Sequence, residues 1–253
     1  MRTTPAGRLL LVMVLMWLWF LSCADESVVD SNNSVANTNF AAEASFHQRI
    51  DVAAQIRLTL DGISGGITVT AVAGSDSIVI DGVRRVRSES IQDAETHLES
   101  LTVNIGDSAT EVAVETVQPE KSLGRIYEVH YDIVVPAGLD LDINNINGQI
   151  ILEDMTGNVH VNLVNGQVVT EATMPSGGMI DVNVVNGGIE LSIPKTTSSE
   201  FSAALVNGSI SMSGLVLQDF VSTSVSLTGT LGLGDGTIAL NLVNGTISVE
   251  GFD

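Results

Sequence analysis

The sequence predicts an all-β protein, on three observations from its second half. A five-residue phrase of the form apolar-Asn-Gly-x-apolar occurs five times, and repeats about 20 residues long are typical of stacked units that share one core. Apolar and polar residues alternate on both sides of the phrase, as in a strand with one buried face. A second Asn stands three residues before most of the turn asparagines. The Asn-Gly pairs are Asn147-Gly148, Asn165-Gly166, Asn186-Gly187, Asn207-Gly208 and Asn244-Gly245, with a weaker copy at Leu227-Thr228-Gly229-Thr230-Leu231.

Two arrangements of these strands fit the pattern. Asn-Gly between alternating runs is a strong signal for a tight hairpin, which predicts an antiparallel hairpin meander or a β-sandwich. The second Asn column favours the other arrangement, a β-solenoid or β-helix-like stack of short strands in which equivalent amides form a ladder. Thr228 in the weaker copy agrees, because a β-branched residue is poorly suited to the positive φ of a hairpin turn. The second column consists of Asn144, Asn162, Asn183 and Asn241.

The N-terminus predicts export. Residues 1–22 carry Arg2 and Arg8 before an apolar run, which is the layout of a signal peptide and is short for a transmembrane helix. Phe20-Leu21-Ser22-Cys23 resembles a bacterial lipobox, although that motif usually has Leu where Phe20 stands. Cys23 is the only cysteine of the chain, so we expect it to be lipidated, with an uncleaved membrane anchor as the alternative.

The rest of the chain divides into three parts. Residues 23–44 are predicted to be the lipidated Cys and a flexible polar tether. Residues 45–137 are predicted to form an irregular β region in which helical spacing between Ser88 and Leu101 indicates one short helix. Residues 138–253 are predicted to be the repeat solenoid. Ile63-Ser64-Gly65-Gly66-Ile67 is similar to an early, degenerate copy of the phrase, so we expect one elongated β domain, with a separate domain over residues 45–137 as the alternative.

Several of these segments together resemble a known family. Leu60-Asp61-Gly62 with Ile67-Thr68-Val69, then a helical insert, then the run Tyr127–Leu141 leading into the Asn-Gly repeats, look like the bacterial DUF4097 family of β-strand-repeat proteins, described as candidate adhesins. The resemblance covers about residues 46 to 252. It implies an exported β-helix-like domain and supplies no catalytic residue.

The charge of the chain excludes one class of partner. The formal net charge is −20, and such a surface repels nucleic-acid phosphates, so we expect no nucleic-acid binding. Solubility explains this negative charge more simply than the binding of divalent cations or of basic partners does. The basic residues are clustered, and we expect them to form ion pairs with neighbouring acidic residues rather than an anion-binding site. The cluster is Arg84, Arg85, Arg87 and Arg125, and the acids are Glu89, Asp93 and Glu95.

No residue constellation in the sequence predicts a reaction or a cofactor. The four histidines are scattered, which makes a zinc site improbable. Asp140, Asp142 and Asn144 share one strand face, which we interpret as a solvated surface rather than a calcium site. An amide ladder satisfies its own hydrogen bonds, so we interpret the Asn columns as structural rather than sugar-binding. The familiar catalytic motifs are not recognisable.

We therefore expect a non-enzymatic, membrane-tethered lipoprotein of the bacterial cell envelope, on the outer membrane, acting as an adhesin-like or scaffolding β-solenoid. Its expected partners are the membrane, through the lipid on Cys23, and a protein or glycan of the envelope. The alternatives are a β-helix carbohydrate-active enzyme and an envelope-sensing component. Because the sequence stops at Gly251-Phe252-Asp253, directly after the last repeat strand, we also expect the last edge of the stack there. Either Phe252 folds over that edge, or the edge is open to a partner strand, which is the hypothesis we favour.

Overall fold

The computed structural model describes residues 38–253, which contain fifteen strands and one short helix. The fold is therefore all-β, as predicted. The strands of the first part are β1 (Phe40–Asp51), β2 (Arg57–Asp61), β3 (Ile67–Val72), β4 (Ser77–Ser88), β5 (Thr102–Asp107), β6 (Glu111–Val117) and β7 (Ile126–Pro136), and the helix is α1 (Ile91–Leu98). Those of the second part are β8 (Asp140–Asn147), β9 (Ile150–Met155), β10 (Val159–Ala172), β11 (Met179–Pro194), β12 (Ser199–Ser213), β13 (Gln218–Ser222), β14 (Ser226–Leu231) and β15 (Gly236–Phe252).

All fifteen strands belong to one sheet, which is folded at the Asn-Gly pairs. Before its Asn-Gly pair β10 lies beside β8, and after the pair it lies beside β9. The column of Asn-Gly pairs therefore separates two faces. The first face runs in the order β5, β6, β2, β8, β10, β11, β15, β12, β14, β13, and the second in the order β1, β4, β7, β3, β9, β10, β11, β15, β12.

The repeat strands stack in parallel and in register. Asn162 of β10 lies opposite Asn183 of β11, which lies opposite Asn241 of β15. The Asn-Gly pairs are thus corners of a stack and not the turns of hairpins, which confirms the solenoid interpretation for these strands. Parallel pairing in register is what places identical side chains above one another.

The order of the strands in the stack differs from their order in the chain. β15, the last strand, lies between β11 and β12 and pairs in parallel with both. The expectation that the C-terminus forms the open edge is therefore wrong. The Asn and Gly of β15 lie in register with those of each neighbour. β14 carries the weaker copy with Thr228 instead, and it pairs antiparallel with β12 outside the stack.

The core lies between the two faces. Alternate residues of both strand halves point inward, for example Val182 before the corner of β11 and Leu191 after it, each 1% exposed. They join one continuous hydrophobic cluster that extends through both parts of the chain. Residues 38–253 accordingly form one compact unit, so the irregular first part continues the same core.

The first part contains the short helix that the sequence predicts between Ser88 and Leu101. The helix begins after Ser90, whose hydroxyl accepts a hydrogen bond from the backbone N–H of Asp93, as an N-cap does. One boundary differs: β1 begins at Phe40, so the last five residues of the segment predicted as a flexible tether are in a strand. They are ordered because β1 pairs antiparallel with β4 along its whole length, from Phe40 opposite Ser88 to Asp51 opposite Ser77.

Candidate functional site: the glycine corner and the asparagine ladders

The corner of every repeat is a glycine with positive φ. The values are 135° at Gly148, 146° at Gly166, 142° at Gly187, 139° at Gly245 and 144° at Gly208. A Cβ on Gly187 would overlap the carbonyl oxygen of Gly166 in the coil below it, and the other corners repeat this arrangement. Glycine is required here both for the backbone conformation and for the close approach of neighbouring coils. Gly65, with φ of 126°, lies under Gly148 and extends the column into the first part.

The turn asparagines form an exposed ladder along this corner. Each donates from its side-chain Nδ2 to the Oδ1 of the Asn one coil nearer the first part of the chain. The distances are 3.0 Å for Asn165 to Asn147, 2.9 Å for Asn186 to Asn165, 2.8 Å for Asn244 to Asn186 and 3.0 Å for Asn207 to Asn244. The ladder ends where Asn147 donates to the hydroxyl of Ser64 at 3.2 Å.

A second ladder runs along the outside of the first face. Asn162 donates to Asn144 at 2.8 Å, Asn183 to Asn162 at 3.2 Å and Asn241 to Asn183 at 3.0 Å. At one end Asn144 donates to the carboxylate of Asp61 at 2.8 Å. At the other end Ala204 lies opposite Asn241, and the buried Oδ1 of Asn241 has no hydrogen-bond partner among the described residues. The ladder therefore stops one coil early.

The corner ladder leaves part of each amide unused, whereas Asn162 and Asn183 of the second ladder also contact His160 and Asp181. A side-chain amide has two N–H donors and an oxygen with two lone pairs, and each rung uses one donor and one lone pair. The corner asparagines are exposed, so their remaining donors and acceptors face solvent at the parallel strand spacing of about 4.8 Å. The rungs therefore leave hydrogen-bonding groups unused along the corner.

One cluster was not predicted from the sequence, because only the register of neighbouring strands brings its residues together. His160 of β10 lies between Asp142 of β8 and Asp181 of β11. Its Nδ1 is 3.2 Å from a carboxylate oxygen of Asp181 and its Nε2 is 3.0 Å from the Nδ2 of Asn162. The hydrogen bond to Asp181 raises the pKa of His160, against the opposing effect of burial. The repeat spacing of 18 and 21 residues is the signal that could have placed these three side chains in one column.

The face of Asp140, Asp142 and Asn144, which we interpret from the sequence as solvated, is a partly exposed strand surface in the structure. Asp140 accepts a hydrogen bond from the backbone N–H of Asn158 at 2.9 Å, so its carboxylate secures the start of the next coil. Within residues 38–253, no group of three His, Cys, Asp or Glu side chains is placed to hold a metal ion. Asp140 and Asp142 lie on one strand rather than on opposite sides of a cleft.

The arginine cluster forms ion pairs, with partners that differ in part from those expected. Arg125 holds Asp93 through two hydrogen bonds of 2.7 Å each, and these bonds hold the pKa of Asp93 well below its usual range. Ser88 also hydrogen-bonds Asp93. Arg85 instead pairs with Glu43 at 2.6 Å and Arg87 with Glu128 at 2.8 Å, while Arg84 donates to the carbonyl of Leu101 at 2.7 Å.

A groove lies near this cluster, between β1 and α1. It has a volume of about 670 Å³, and its lining includes three alanines of β1. Arg84, Glu95 and Glu99 are among its lining residues.

Two sequence predictions lie outside the described residues. The signal peptide of residues 1–22 and Cys23 with its predicted lipid are not among residues 38–253, so they stay predictions. Within residues 38–253, no helix is long and apolar enough to span a membrane.

No protein-family model and no curated protein matches the sequence. Solved structures do match. A candidate cell adhesion protein from Clostridium sporogenes has a TM-score of 0.57 at 11% identity, over 83% of this chain and 100% of that chain. A candidate adhesin from Bacteroides fragilis matches 83% of this chain and 97% of its own at 8% identity, with a TM-score of 0.25. The first match shows a shared fold, and the second is too low to add to it. The resemblance to DUF4097 stays a prediction.

Proposed function

We propose that this chain is a non-enzymatic, exported lipoprotein of the bacterial cell envelope whose β-solenoid serves as an adhesin-like or scaffolding surface. One observation carries the proposal, namely the in-register stack that repeats the same polar groups at every coil. Such a surface suits an extended partner with its own repeat, such as an envelope glycan or protein. The description of the Clostridium sporogenes protein as a candidate adhesion protein is consistent with this role.

The N-terminal sequence supports the location that we propose. The apolar run ends at Cys23 after a small residue, and a lipid there would anchor the chain to the outer membrane. The polar residues from Ala24 to about Asn39 would form the tether. β1, which follows, is the outermost strand of the second face.

The first experiment tests the anchor. The wild type and Cys23→Ser are expressed in a bacterium and compared by membrane fractionation and intact mass. We expect the wild type in the outer-membrane fraction with the mass increment of a diacylglyceryl group, and the variant without that increment and outside that fraction. Equal fractionation and equal processing of the two chains would overturn the lipoprotein assignment.

The second experiment tests the surface. The Cys23→Ser chain is sedimented with purified peptidoglycan and, separately, with outer-membrane vesicles. We expect saturable co-sedimentation with one of them, weakened several-fold by Asn165→Asp at the corner and unchanged by Gln48→Glu, which makes the same chemical change on exposed β1. Binding to neither probe, or release of soluble sugars from them, would contradict the proposed role.

A further inference from the structure

The two ends of the stack are built differently. At the first end the edge strand β1 carries four ionisable residues, Glu43, His47, Arg49 and Asp51, within its twelve positions. Charged side chains along an edge strand are a common protection against pairing with another chain. At the other end, the segment from Phe201 to Gln218 contains no charged residue, in a chain of net charge −20. That end lacks the usual protection.

The unprotected end exposes a strand edge. β12 pairs with β15 along its length, but on its other side β14 covers only Ser199–Ala204. The second half of β12 thus has a neighbour on one side only. In equivalent positions the backbone N–H of Gly148 donates to Asn165 and that of Ile67 donates to Gln149, both in the following coil. By this equivalence, the backbone groups of Gly208 and Ile210 point toward the open side.

Exposed apolar side chains lie at this end of the stack, on β12 and β13 and in the loops that follow β12, β13 and β14. Val216 is 81% exposed, Leu233 is 87% exposed and Phe220 is 62% exposed. Val206, Val221 and Val225 are also exposed. Apolar side chains exposed at one end of a fold are available to a partner. A stable protein interface usually buries about 800 Å² of surface on each partner.

We propose that the partner is a second copy of this chain, joined edge to edge through the second half of β12. The edge is self-complementary in an antiparallel pair centred on Ser211. Ile210 then lies opposite Met212 of the other copy, and Ser209 lies opposite its Ser213. Ile210 and Met212 are partly buried and pack on the core, while Ser211 is exposed. The pairing thus places apolar residues opposite apolar residues and serines opposite serines.

The backbone geometry agrees with this centre. N–H and C=O groups that face one side of a strand occur at every second residue, so Gly208, Ile210 and Met212 all face the open side. These are the residues that an antiparallel pair centred on Ser211 would join by hydrogen bonds. The two Ser211 residues would form the close, non-hydrogen-bonded pair on the two-fold axis, with Cα atoms about 4.5 Å apart.

The distribution of charge also favours a second copy of this chain as the partner. Two molecules of net charge −20 repel one another through most of their surfaces, and this repulsion is smallest where the uncharged segment meets itself. The pairing would place the two β1 strands, and therefore the two tethers, at opposite ends of the dimer. If the chain is tethered as proposed above, the dimer could bridge two membranes. That role rests on the proposed function, whereas the pairing does not.

The test compares Ser211→Lys with Ser248→Lys in the full chain carrying Cys23→Ser. Ser248 lies beside Ser211 in the register but on β15, inside the stack. We expect light scattering after size exclusion to give twice the chain mass for the parent and Ser248→Lys, and the monomer mass for Ser211→Lys. A monomeric parent at high micromolar concentration, or equal dissociation by both substitutions, would overturn the proposal.

A cross-linking experiment covers the case in which a lysine variant does not fold. Cys23 is the only cysteine, so Cys23→Ser with Ser211→Cys has a single thiol on the predicted axis. We expect rapid conversion to a disulfide dimer under mild oxidation, and little conversion of the matched Ser248→Cys chain. Similar rates for the two chains would contradict the predicted register. Neither measurement depends on membrane attachment, so failure here is distinct from failure of the lipoprotein assignment.

Discussion

The two parts of the domain satisfy their polar side chains in different ways. In the repeat part, neighbours are parallel copies, and an Asn bonds to the Asn of the next coil, as Asn186 does to Asn165. In the first part, β4 pairs antiparallel with β1 and β7, and opposite charges meet, as in Arg85 with Glu43. Parallel stacking places like beside like, which is unfavourable for charges. An amide both donates and accepts, so it can stack on itself. The basic residues accordingly concentrate in the first part.

The largest effect should come from breaking the glycine column. Gly187→Ala places a Cβ against the Gly166 carbonyl at a φ of 142°, and we expect a loss of at least about 3 kcal/mol in the free energy of unfolding. The matched change in the first part is Gly106→Ala, where a Cβ would have open space. It should alter stability by less than about 0.5 kcal/mol. Urea unfolding measures both, and similar losses would contradict a special role for the corner.

Completing the second ladder should stabilise the chain. Ala204→Asn would place an Nδ2 donor beside the unpartnered Oδ1 of Asn241. We expect a gain of about 1 kcal/mol in the free energy of unfolding, since an unsatisfied buried acceptor is then paired. Ser202→Asn adds the same side chain beside Ala239, which has no side-chain acceptor, and should give no gain in the free energy of unfolding. An equal effect of the two substitutions would show that the ladder is not the cause.

The ion pair of the first part should make stability fall in acid. The Arg125 hydrogen bonds lower the pKa of Asp93 in the folded state, so their contribution is fully present above the unfolded pKa, about 3.9, and is lost as the pH falls below it. We expect Asp93→Asn to be less stable than the wild type at pH 7. The difference should shrink as the pH falls below 4. Urea midpoints across this range measure it, and a difference independent of pH would contradict the mechanism.

The histidine of the repeat part should give the opposite pH dependence and a smaller effect. The carboxylate of Asp181 raises the pKa of His160 in the folded state, with a further contribution from Asp142 and an opposing one from Arg57. The stabilisation is therefore full below the unfolded pKa, about 6.5, and disappears as the pH rises through the folded value. We expect wild type and His160→Gln to differ most at pH 6 and to converge in alkaline solution. Divergence on raising the pH would contradict this sign.

Much of the fold could be predicted from local pattern. Alternation predicted a β region over residues 45–137 and strands on both sides of the Asn-Gly pairs, and helical spacing between Ser88 and Leu101 predicted the helix found at Ile91–Leu98. The Asn column indicated a stack rather than hairpins. The column of Asp142, His160 and Asp181 was missed, because its members are 18 and 21 residues apart and meet only through register. The partners of Arg85 and Arg87 were missed for the same reason, since antiparallel pairing joins β4 to strands far away in the chain.

By itself, the sequence determined which residues are buried and where the chain must turn. Alternation selects the inward side chains, and only glycine can occupy the crowded corner, so both features are readable from neighbouring residues. The tertiary structure alone decided the order of the coils. The repeats are nearly identical, so each presents the same Asn, Gly and apolar residues to any other, and local pattern cannot rank the neighbours. β15 lies inside the stack because it matches both β11 and β12, while β14, lacking Asn, is placed outside and leaves the uncharged edge of β12 open.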